Sequence, residues 1–414
     1  MIAVLTSGVA LGAHVPGVRL AQRLRERGAD VVVDVLERWL PADRLAAVVD
    51  SRRRFQRNLR FAVAAQGLAT DPVDDLTPEA VAALEAHWTE QEVDTFVVFS
   101  GFWLRLLDSY LTRRPTRTIA CHVDAVISPS YRRAGRYAPG AEHVWLARAD
   151  GTLPWTIPVD PRPPLPWAAR GDRLLVHGGG WAIGSYRDRA RQLTDAALPL
   201  DLIVPQASAA IDGARCFTLD PDWHPWHDDG LPPLLPVPTN TASPGHTGTS
   251  AGAAASPHTG PSTIAATSPS TGTPTTPPRT ATPADAATPA TSTAPTVPGG
   301  AAPAGPGTQG RHLPYELARS ARAIVSKPGG GTLLDSLWTA TPLVLLEPAG
   351  SHEAANGKLW RQLGFALSYD EWSACGFAPE RLEPLHRALL GAARPRNLLD
   401  ALLTRETEAK VEHP

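Results

Sequence analysis

The feature of this sequence that most limits its fold is a strand, a glycine loop and a helix that follow one another between Ala321 and Gly364. The apolar run Ala323 to Ser326 has the length of a strand, and Lys327-Pro-Gly-Gly-Gly331 then interrupts regular structure. A helical pattern of apolar residues begins at Thr332. Such a turn directs free backbone N–H groups and the positive end of a helix dipole towards one point, which favours an anionic group such as a phosphate.

A second unit of the same kind follows at once. The strand-like run Leu343 to Leu346 leads through a polar turn, Glu347 to Asn356, into another helix. In a parallel sheet both loops lie at the carboxyl edge, where ligands bind. Lys327 and the Thr332 hydroxyl can add hydrogen-bond donors there. A helix-capping turn uses the same glycines, so the loop alone does not establish a phosphate site.

The spacing of polar residues in this segment resembles the donor-binding segment of inverting glycosyltransferases with the two-domain GT-B fold. These include the UDP-glycosyltransferase-like enzymes and the family of the peptidoglycan N-acetylglucosaminyltransferase. Their H-x-G-x-x-S-x-x-E pattern is matched, with Lys for His, Thr for Ser and Asp for Glu, by Lys327, Gly329, Thr332 and Asp335. The resemblance implies that Lys327, Thr332 and the amides of Gly329 and Gly330 hold a diphosphate, while Asp335 binds the ribose hydroxyls.

Three further motifs extend the resemblance over Gly171 to Asp370, with one interruption. The D-Q-x-x-N pattern that reads the donor sugar is matched by His352, Glu353 and Asn356. The W-x-P-Q motif is matched by Trp223 and Pro225, which implies that the Trp223 indole stacks on the nucleotide base; the alternative is a buried core tryptophan. A glycine loop follows the strand Arg173 to Val176, and the resemblance implies that its Gly179 and Gly180 face the donor phosphates.

The N-terminal sequence predicts a βαβ opening. Ile2 to Thr6 reads as a strand, Ser7 to His14 as a glycine-punctuated loop, Val18 to Arg27 as a helix, and Ala29 to Leu36 as a second strand. Alternation of strands and helices in this order is typical of a doubly wound domain.

His14 is the candidate catalytic base. The related enzymes carry G-H-x-x-P in this loop, and the order here is Gly12-Ala-His14-Val-Pro16. The resemblance implies that His14 removes the acceptor proton, for which an imidazole is suited. The aspartate that orients this histidine aligns best with Ser100, so Asp124 or His122 takes its place. A solvent-exposed or capping histidine is the alternative.

A basic run occupies the helical region between Pro41 and Glu90. On one helix Arg53, Arg57 and Arg60 would share a face, because residues three and four apart are neighbours. Such a face suits an anionic acceptor or a membrane surface, or is simply solvated.

The predicted fold class is α/β, with two Rossmann-like doubly wound domains facing across a cleft and a long disordered insertion in the second. A chain of 414 residues exceeds the usual size of one domain. The insertion is almost wholly Ala, Thr, Pro, Ser and Gly, which cannot bury enough apolar area to order itself. The predicted parts are an acceptor domain (1–153), a linker (154–170), a nucleotide-sugar domain (171–386, with the insertion at 238–310) and a helical tail (387–414).

The composition limits the kinds of partner that we expect this protein to bind. A net charge of −2 with 19% charged residues gives no pull towards nucleic acid. Three cysteines without a C-x-x-C pair fit a reducing compartment, and we expect a cytoplasmic protein without a signal peptide. The sequence has no transmembrane run, which leaves peripheral membrane contact open, and it does not indicate the oligomeric state.

The sequence therefore predicts a glycosyltransferase that moves a sugar from a UDP- or dTDP-sugar to a small-molecule acceptor with inversion, in specialised metabolism. We expect no metal, and no cofactor besides the sugar nucleotide as co-substrate. The alternatives are a nucleotide-sugar epimerase or hydrolase of the same fold, and a non-catalytic binding or partner protein.

Overall fold

The computed structural model describes residues 1–9, 11–68, 71–159, 162–227, 230–238 and 314–404. The predicted insertion, apart from Pro238, and the last ten residues of the predicted tail lie outside these ranges.

The N-terminal half is built on a five-stranded sheet in which all neighbouring strands run parallel. Its strands are β1 (Ile2–Thr6), β2 (Val31–Val35), β3 (Thr95–Val98), β4 (Arg117–His122) and β5 (Glu142–Trp145). Its helices are α1 (Leu11–Glu26), α2 (Ala42–Arg57), α3 (Leu59–Leu68), α4 (Pro78–Glu90), α5 (Phe102–Arg113) and α6 (Pro129–Ala134). The strand order β2-β1-β3-β4-β5 is one of the two common doubly wound orders, and it reverses direction between β1 and β3.

Both faces of this sheet are covered, as the alternation of side chains along a strand requires. Ile2 and Val4 of β1 pack in a cluster with apolar residues of α1. Ala3 and Leu5 point the other way and pack with α4, α5 and α6, where Trp88 and Trp103 are fully buried. Strands that are buried on both faces explain the nearly continuous apolar runs in the sequence.

The C-terminal half is built on a seven-stranded sheet in the order β10-β9-β8-β7-β11-β12-β13. After a short strand β6 (Trp155–Thr156), its strands are β7 (Leu174–His177), β8 (Leu200–Val204), β9 (Arg215–Leu219), β10 (Leu234–Pro236), β11 (Ile324–Ser326), β12 (Leu343–Leu345) and β13 (Ala366–Ser368). Its helices are α7 (Tyr186–Asp195), α8 (Pro314–Ser320), α9 (Gly330–Thr339), α10 (Ser351–Gln362), α11 (Tyr369–Ala374) and α12 (Glu383–Leu390). Only β10 is antiparallel within the sheet as described. The parallel strands have the dinucleotide-binding order, which reverses between β7 and β11.

The end of the described chain returns to the N-terminal sheet. The strand β14 (Arg396–Asn397) pairs with β6, and residues 398–404 are helical. Leu398, Leu399 and Leu402 belong to the same buried cluster as Ile2 and Val4. Residues 398–404 therefore pack with the core of the N-terminal half.

Two predicted boundaries are wrong. The helix α1 begins at Leu11 and not at Val18, because close packing outweighs the poor helix propensity of its glycines: a Cβ on Gly17 would lie 2.4 Å from Thr6 Cγ2. His14 thus lies in a helix. Arg60 does not share a face with Arg53 and Arg57 on one helix, because Asn58 adopts an extended conformation and ends α2.

No helix among the described residues is long and apolar enough to cross a membrane.

Candidate active site

A cavity of about 1160 Å³ lies between the carboxyl ends of the two sheets. It is lined by the loops that follow β1 and β3 on one side and those that follow β7 and β11 on the other. These are the points at which the strand order of each sheet reverses, where doubly wound folds bind ligands. Of the predicted site residues, all except His14 and Asn356 line this cavity.

The glycine loop after β11 ends in the N-terminus of α9, as the sequence predicts. Gly330 is the first helical residue, and Lys327, Gly329, Gly330 and Thr332 all line the cavity. The first N–H groups of a helix have no partner within it, so this end of α9 presents donors and a positive dipole to the cavity. The local arrangement suits an anion.

Lys327 is held at this loop by two contacts. Its ammonium group forms an ion pair with Glu353 of α10, and both side chains are largely buried. The other carboxylate oxygen of Glu353 accepts the backbone N–H of Ala349 at 2.6 Å. In the neighbouring loop after β7, a Cβ on Gly179 would lie 2.8 Å from Lys327 Cε, and Gly179 has a φ of +72°. Glycine at that position therefore provides both the backbone conformation and the space for Lys327.

Asp335 lies one turn further along α9 and is the carboxyl group that the resemblance assigns to a ribose. Burial raises the pKa of Asp335 to about 6, an effect that the guanidinium of Arg19 opposes. Arg19 comes from α1, and its guanidinium carbon lies 3.6 Å from the centroid of the Tyr315 ring. Sequence patterns gave no signal for Arg19 or Tyr315, because the contact joins residues that are far apart in the chain.

Asn356 and Asp124 meet where the two halves of the chain join. Asn356 Nδ2 donates to Asp124 Oδ1 at 2.8 Å and to the Pro328 carbonyl at 3.0 Å. Its Oδ1 accepts the N–H of Ala125 at 2.7 Å. Asn356 is fully buried and its polar atoms are occupied within the protein, whereas Asp124 lines the cavity. The role of Asn356 in reading a donor sugar stays a prediction.

Burial is the main influence on the pKa of Asp124. It raises the pKa of the Asp124 carboxyl group, while the nearby His352 imidazole and the Asn356 hydrogen bond act in the opposite direction. Asp124 lies beside the N-terminus of α9, since a Cβ on Gly330 would lie 3.0 Å from Asp124 Oδ1.

His14 is fully buried beneath the cavity wall. Its Nδ1 lies 3.0 Å from Thr6 Oγ1, and its Nε2 has no hydrogen-bond partner among the described residues. Burial, with a smaller effect of Arg38, lowers the pKa of His14 to about 3. The structure does not bring His14 and Asp124 together as a hydrogen-bonded pair. Their joint catalytic role stays a prediction.

His122, the other group considered beside His14, ends β4 and lines the cavity. Its ring stacks on Trp145 with 4.1 Å between centroids, and its Nε2 lies 2.8 Å from His143 Nδ1. Burial lowers the pKa of His122 to about 3, with a smaller effect of His143.

Trp223 lines the cavity. It is 8% exposed, its ring centroid is 6.1 Å from that of His14, and its Nε1 has no hydrogen-bond partner within the described part of the chain. Trp226, three residues later, is a core residue that packs on the β1 loop: a Cβ on Gly8 would lie 3.1 Å from it. The tryptophan motif therefore combines one cavity-lining and one structural indole.

Glu37 is a structural residue of the site that sequence reasoning missed. Its buried carboxylate accepts hydrogen bonds from Ser7 Oγ at 2.6 Å and from the N–H groups of Gly8 at 2.6 Å and Val9 at 3.1 Å. Burial raises the pKa of Glu37, and these hydrogen bonds oppose that effect. Glu37 thus fixes the β1 loop. The sequence signal that could have indicated this role is the position of Glu37, an acidic residue just after a valine-rich strand.

The loops of the two halves also touch through glycines. A Cβ on Gly180 would lie 2.5 Å from Leu11 Cβ, and one on Gly331 would lie 3.6 Å from Gly12 Cα. Within the described ranges, no group of three or more His, Cys, Asp or Glu side chains is arranged to hold a metal ion.

Comparison with known proteins identifies the fold. The chain matches no protein-family profile, and a search of curated proteins finds no match. Among solved structures it is similar to the glycosyltransferase SsfS6 from Streptomyces sp. SF2575 in complex with thymidine diphosphate, with 11% identity, a TM-score of 0.51, and coverage of 98% of this chain and 99% of that chain. It also matches the glycosyltransferase SnogD from Streptomyces nogalater, with 12% identity, a TM-score of 0.47, and coverage of 99% of both chains. The chain has the GT-B fold, and the predicted fold class is confirmed.

Proposed function

We propose that this protein is a glycosyltransferase that moves a sugar from a nucleoside diphosphate sugar to a hydroxyl group of a small-molecule acceptor, with inversion at the anomeric carbon. One observation carries the proposal: the cavity joins the reversal points of both sheets and contains, on one wall, the N-terminus of α9 with Lys327 and Thr332. A two-sided cleft of this kind can hold a donor on one side and an acceptor on the other.

The donor diphosphate would occupy the N-terminus of α9. The free N–H groups of the first helical turn, the Lys327 ammonium and the Thr332 hydroxyl supply donors, and they stabilise charge that develops on the leaving diphosphate. Trp223 would contact the nucleotide base, and Asp335 the ribose. His352 and Glu353, which line the cavity beside Lys327, are the candidates for the donor sugar.

The geometry favours Asp124 over His14 as the group that accepts the acceptor proton. Asp124 lines the cavity beside α9, whereas His14 is buried outside the lining and bonded to Thr6. A raised pKa makes the Asp124 carboxylate a stronger base than an exposed aspartate. In a single displacement the acceptor hydroxyl attacks the anomeric carbon, its proton passes to Asp124, and the bond to the diphosphate breaks with its electrons leaving on the diphosphate oxygen.

The test begins with a thermal-shift screen of UDP- and dTDP-sugars, followed by an assay of transfer to a panel of phenols and alcohols. We expect one nucleotide to raise the Tm. With an active pair, Asp124→Asn should lower kcat about 10²- to 10⁴-fold. If His14→Gln lost most of its kcat while Asp124→Asn stayed active, His14 and not Asp124 would be the catalytic base. If no nucleotide raised the Tm, the proposal as a whole would be contradicted.

A further inference from the structure

One wall of the cavity, formed by α2, is basic. On α2, Val49, Arg52, Arg53 and Gln56 are three or four residues apart and share a face, which lines the cavity together with the flanking Phe55 and Arg57. No residue of α2 is buried, so its arginines are not required by a core.

Arg52 is the most enclosed of these arginines. Its guanidinium carbon lies 4.3 Å from the centroid of the Trp181 ring, which belongs to the loop after β7. Trp181 is itself fixed, because its Nε1 donates to the Val9 carbonyl. The Nε of Arg52 is buried and has no hydrogen-bond partner among the described residues. Burial and the neighbouring Arg53 both lower the pKa of Arg52.

The acidic groups that line the cavity have other partners, and one of them, Asp220, accepts the backbone N–H of Asp222 at 3.1 Å. Glu353 pairs with Lys327, and Asp124 bonds to Asn356. Asp335 lies near Arg19. Arg53 forms an ion pair with Asp50 at 3.3 Å in which both side chains are exposed, and among the described residues Arg57 forms no ion pair. The positive charge on this wall is therefore not neutralised from within the cavity, and a buried charged N–H without an acceptor is costly.

We propose that the acceptor carries a carboxylate or phosphate group that Arg52 and Arg57 bind, while its apolar body lies against Trp181 and Phe55. This inference rests on the proposed function, since it names the class of acceptor for the same cleft. Arginine suits the task, because its planar fork binds both oxyanions with two parallel hydrogen bonds. The site differs from the donor site, which is formed by α9 and Lys327 of the other half.

Three small phenols test the inference. They are 4-hydroxybenzoate, 4-hydroxyphenyl phosphate and the uncharged 4-hydroxybenzamide, and their Kd values are measured by calorimetry with the free protein and again with a saturating nucleoside diphosphate. We expect at least one anion to bind about tenfold more tightly than the amide, as a charge-assisted hydrogen bond predicts. The comparison of the two anions identifies which group the site prefers.

Substitutions on α2 test which residues cause the preference for anions. Arg52→Gln should reduce the anion preference to about twofold or less, and Arg57→Gln, an exposed position, serves if the first variant does not fold. Arg54→Gln is the matched control, because Arg54 is on the same helix, is exposed and does not line the cavity; it should retain the preference.

Equal binding of the amide and both anions by the wild-type protein would overturn the inference, as would an unchanged preference in both Arg52→Gln and Arg57→Gln. The proposed function fails separately, if no nucleoside diphosphate raises the Tm of the wild-type protein. The anion preference of the free protein is measured in either case.

Discussion

Asn356 of α10 donates a hydrogen bond to the carboxylate of Asp124 across the join between the two halves, with 2.8 Å between Nδ2 and Oδ1. The same side chain accepts the N–H of Ala125 and donates to the Pro328 carbonyl. One amide therefore links the end of β4 to the glycine loop before α9. It fixes the proposed base relative to the proposed phosphate site.

Asn356→Ala should both destabilise the protein and slow the reaction. It leaves a buried N–H, a buried carbonyl and a buried carboxylate without this partner, and we expect a loss of about 2–4 kcal/mol in the free energy of unfolding. Chemical denaturation measures this loss. Gln362→Ala is the control, since Gln362 is an exposed residue at the end of the same helix, and it should change stability by less than about 1 kcal/mol. Equal losses in the two variants would contradict the proposed link.

Lys327→Met should weaken nucleoside diphosphate binding about 10- to 100-fold, because it removes a charge-assisted donor. It also leaves Glu353 buried without its cation, so the double variant with Glu353→Gln separates the two effects. The double variant should regain stability but not affinity. Lys358→Met, an exposed position on α10, should bind as the wild type does in calorimetry. If the double variant regained its affinity for the nucleoside diphosphate, the diphosphate would not bind at Lys327.

Gly179→Ala should reduce nucleotide affinity, whereas Gly28→Ala should not. Both glycines have positive φ, at +72° and +83°, so each alanine should cost about 1–2 kcal/mol of stability. A Cβ at Gly179 also displaces Lys327, while one at Gly28 meets no atom within 4 Å. Calorimetry on both variants isolates the effect on Lys327. Equal affinity would show that the position of Lys327 does not govern binding.

His14 should make stability depend on pH. Its folded pKa of about 3 lies below the ordinary 6.5, so the unfolded chain binds more protons between these values and stability rises with pH. Relative to His14→Gln, the wild-type protein should lose about 1.4 kcal/mol for each pH unit below 6.5. Denaturant unfolding of both proteins at pH 7 and pH 5 measures the difference, in which the other titrating groups cancel. A constant difference would mean that His14 is not held neutral.

Local patterns predicted the parts of the fold that depend on local chemistry. The strand β1 has the bounds that its apolar run predicted, and the glycine loop between β11 and α9 was located correctly because glycine, proline and apolar period all change within a few residues. Those signals are short-range, and so are the structures that they specify.

Contacts across the cleft could not be predicted in the same way. The burial of His14, the pairing of Asn356 with Asp124 and the stacking of Arg52 on Trp181 each depend on how two distant segments meet. The start of α1 was placed too late, since the proline and glycines in its first turns argue against a helix unless tertiary packing favours one.

The position of residues 398–404 bears on synthesis of the chain. Leu398, Leu399 and Leu402 share a buried cluster with Ile2 and Val4 of β1, which are synthesised long before them. During translation this apolar cluster therefore stays incomplete until the chain has been made as far as Leu402. The N-terminal sheet cannot acquire its full native cover until then, and in this interval the nascent protein is most exposed to aggregation.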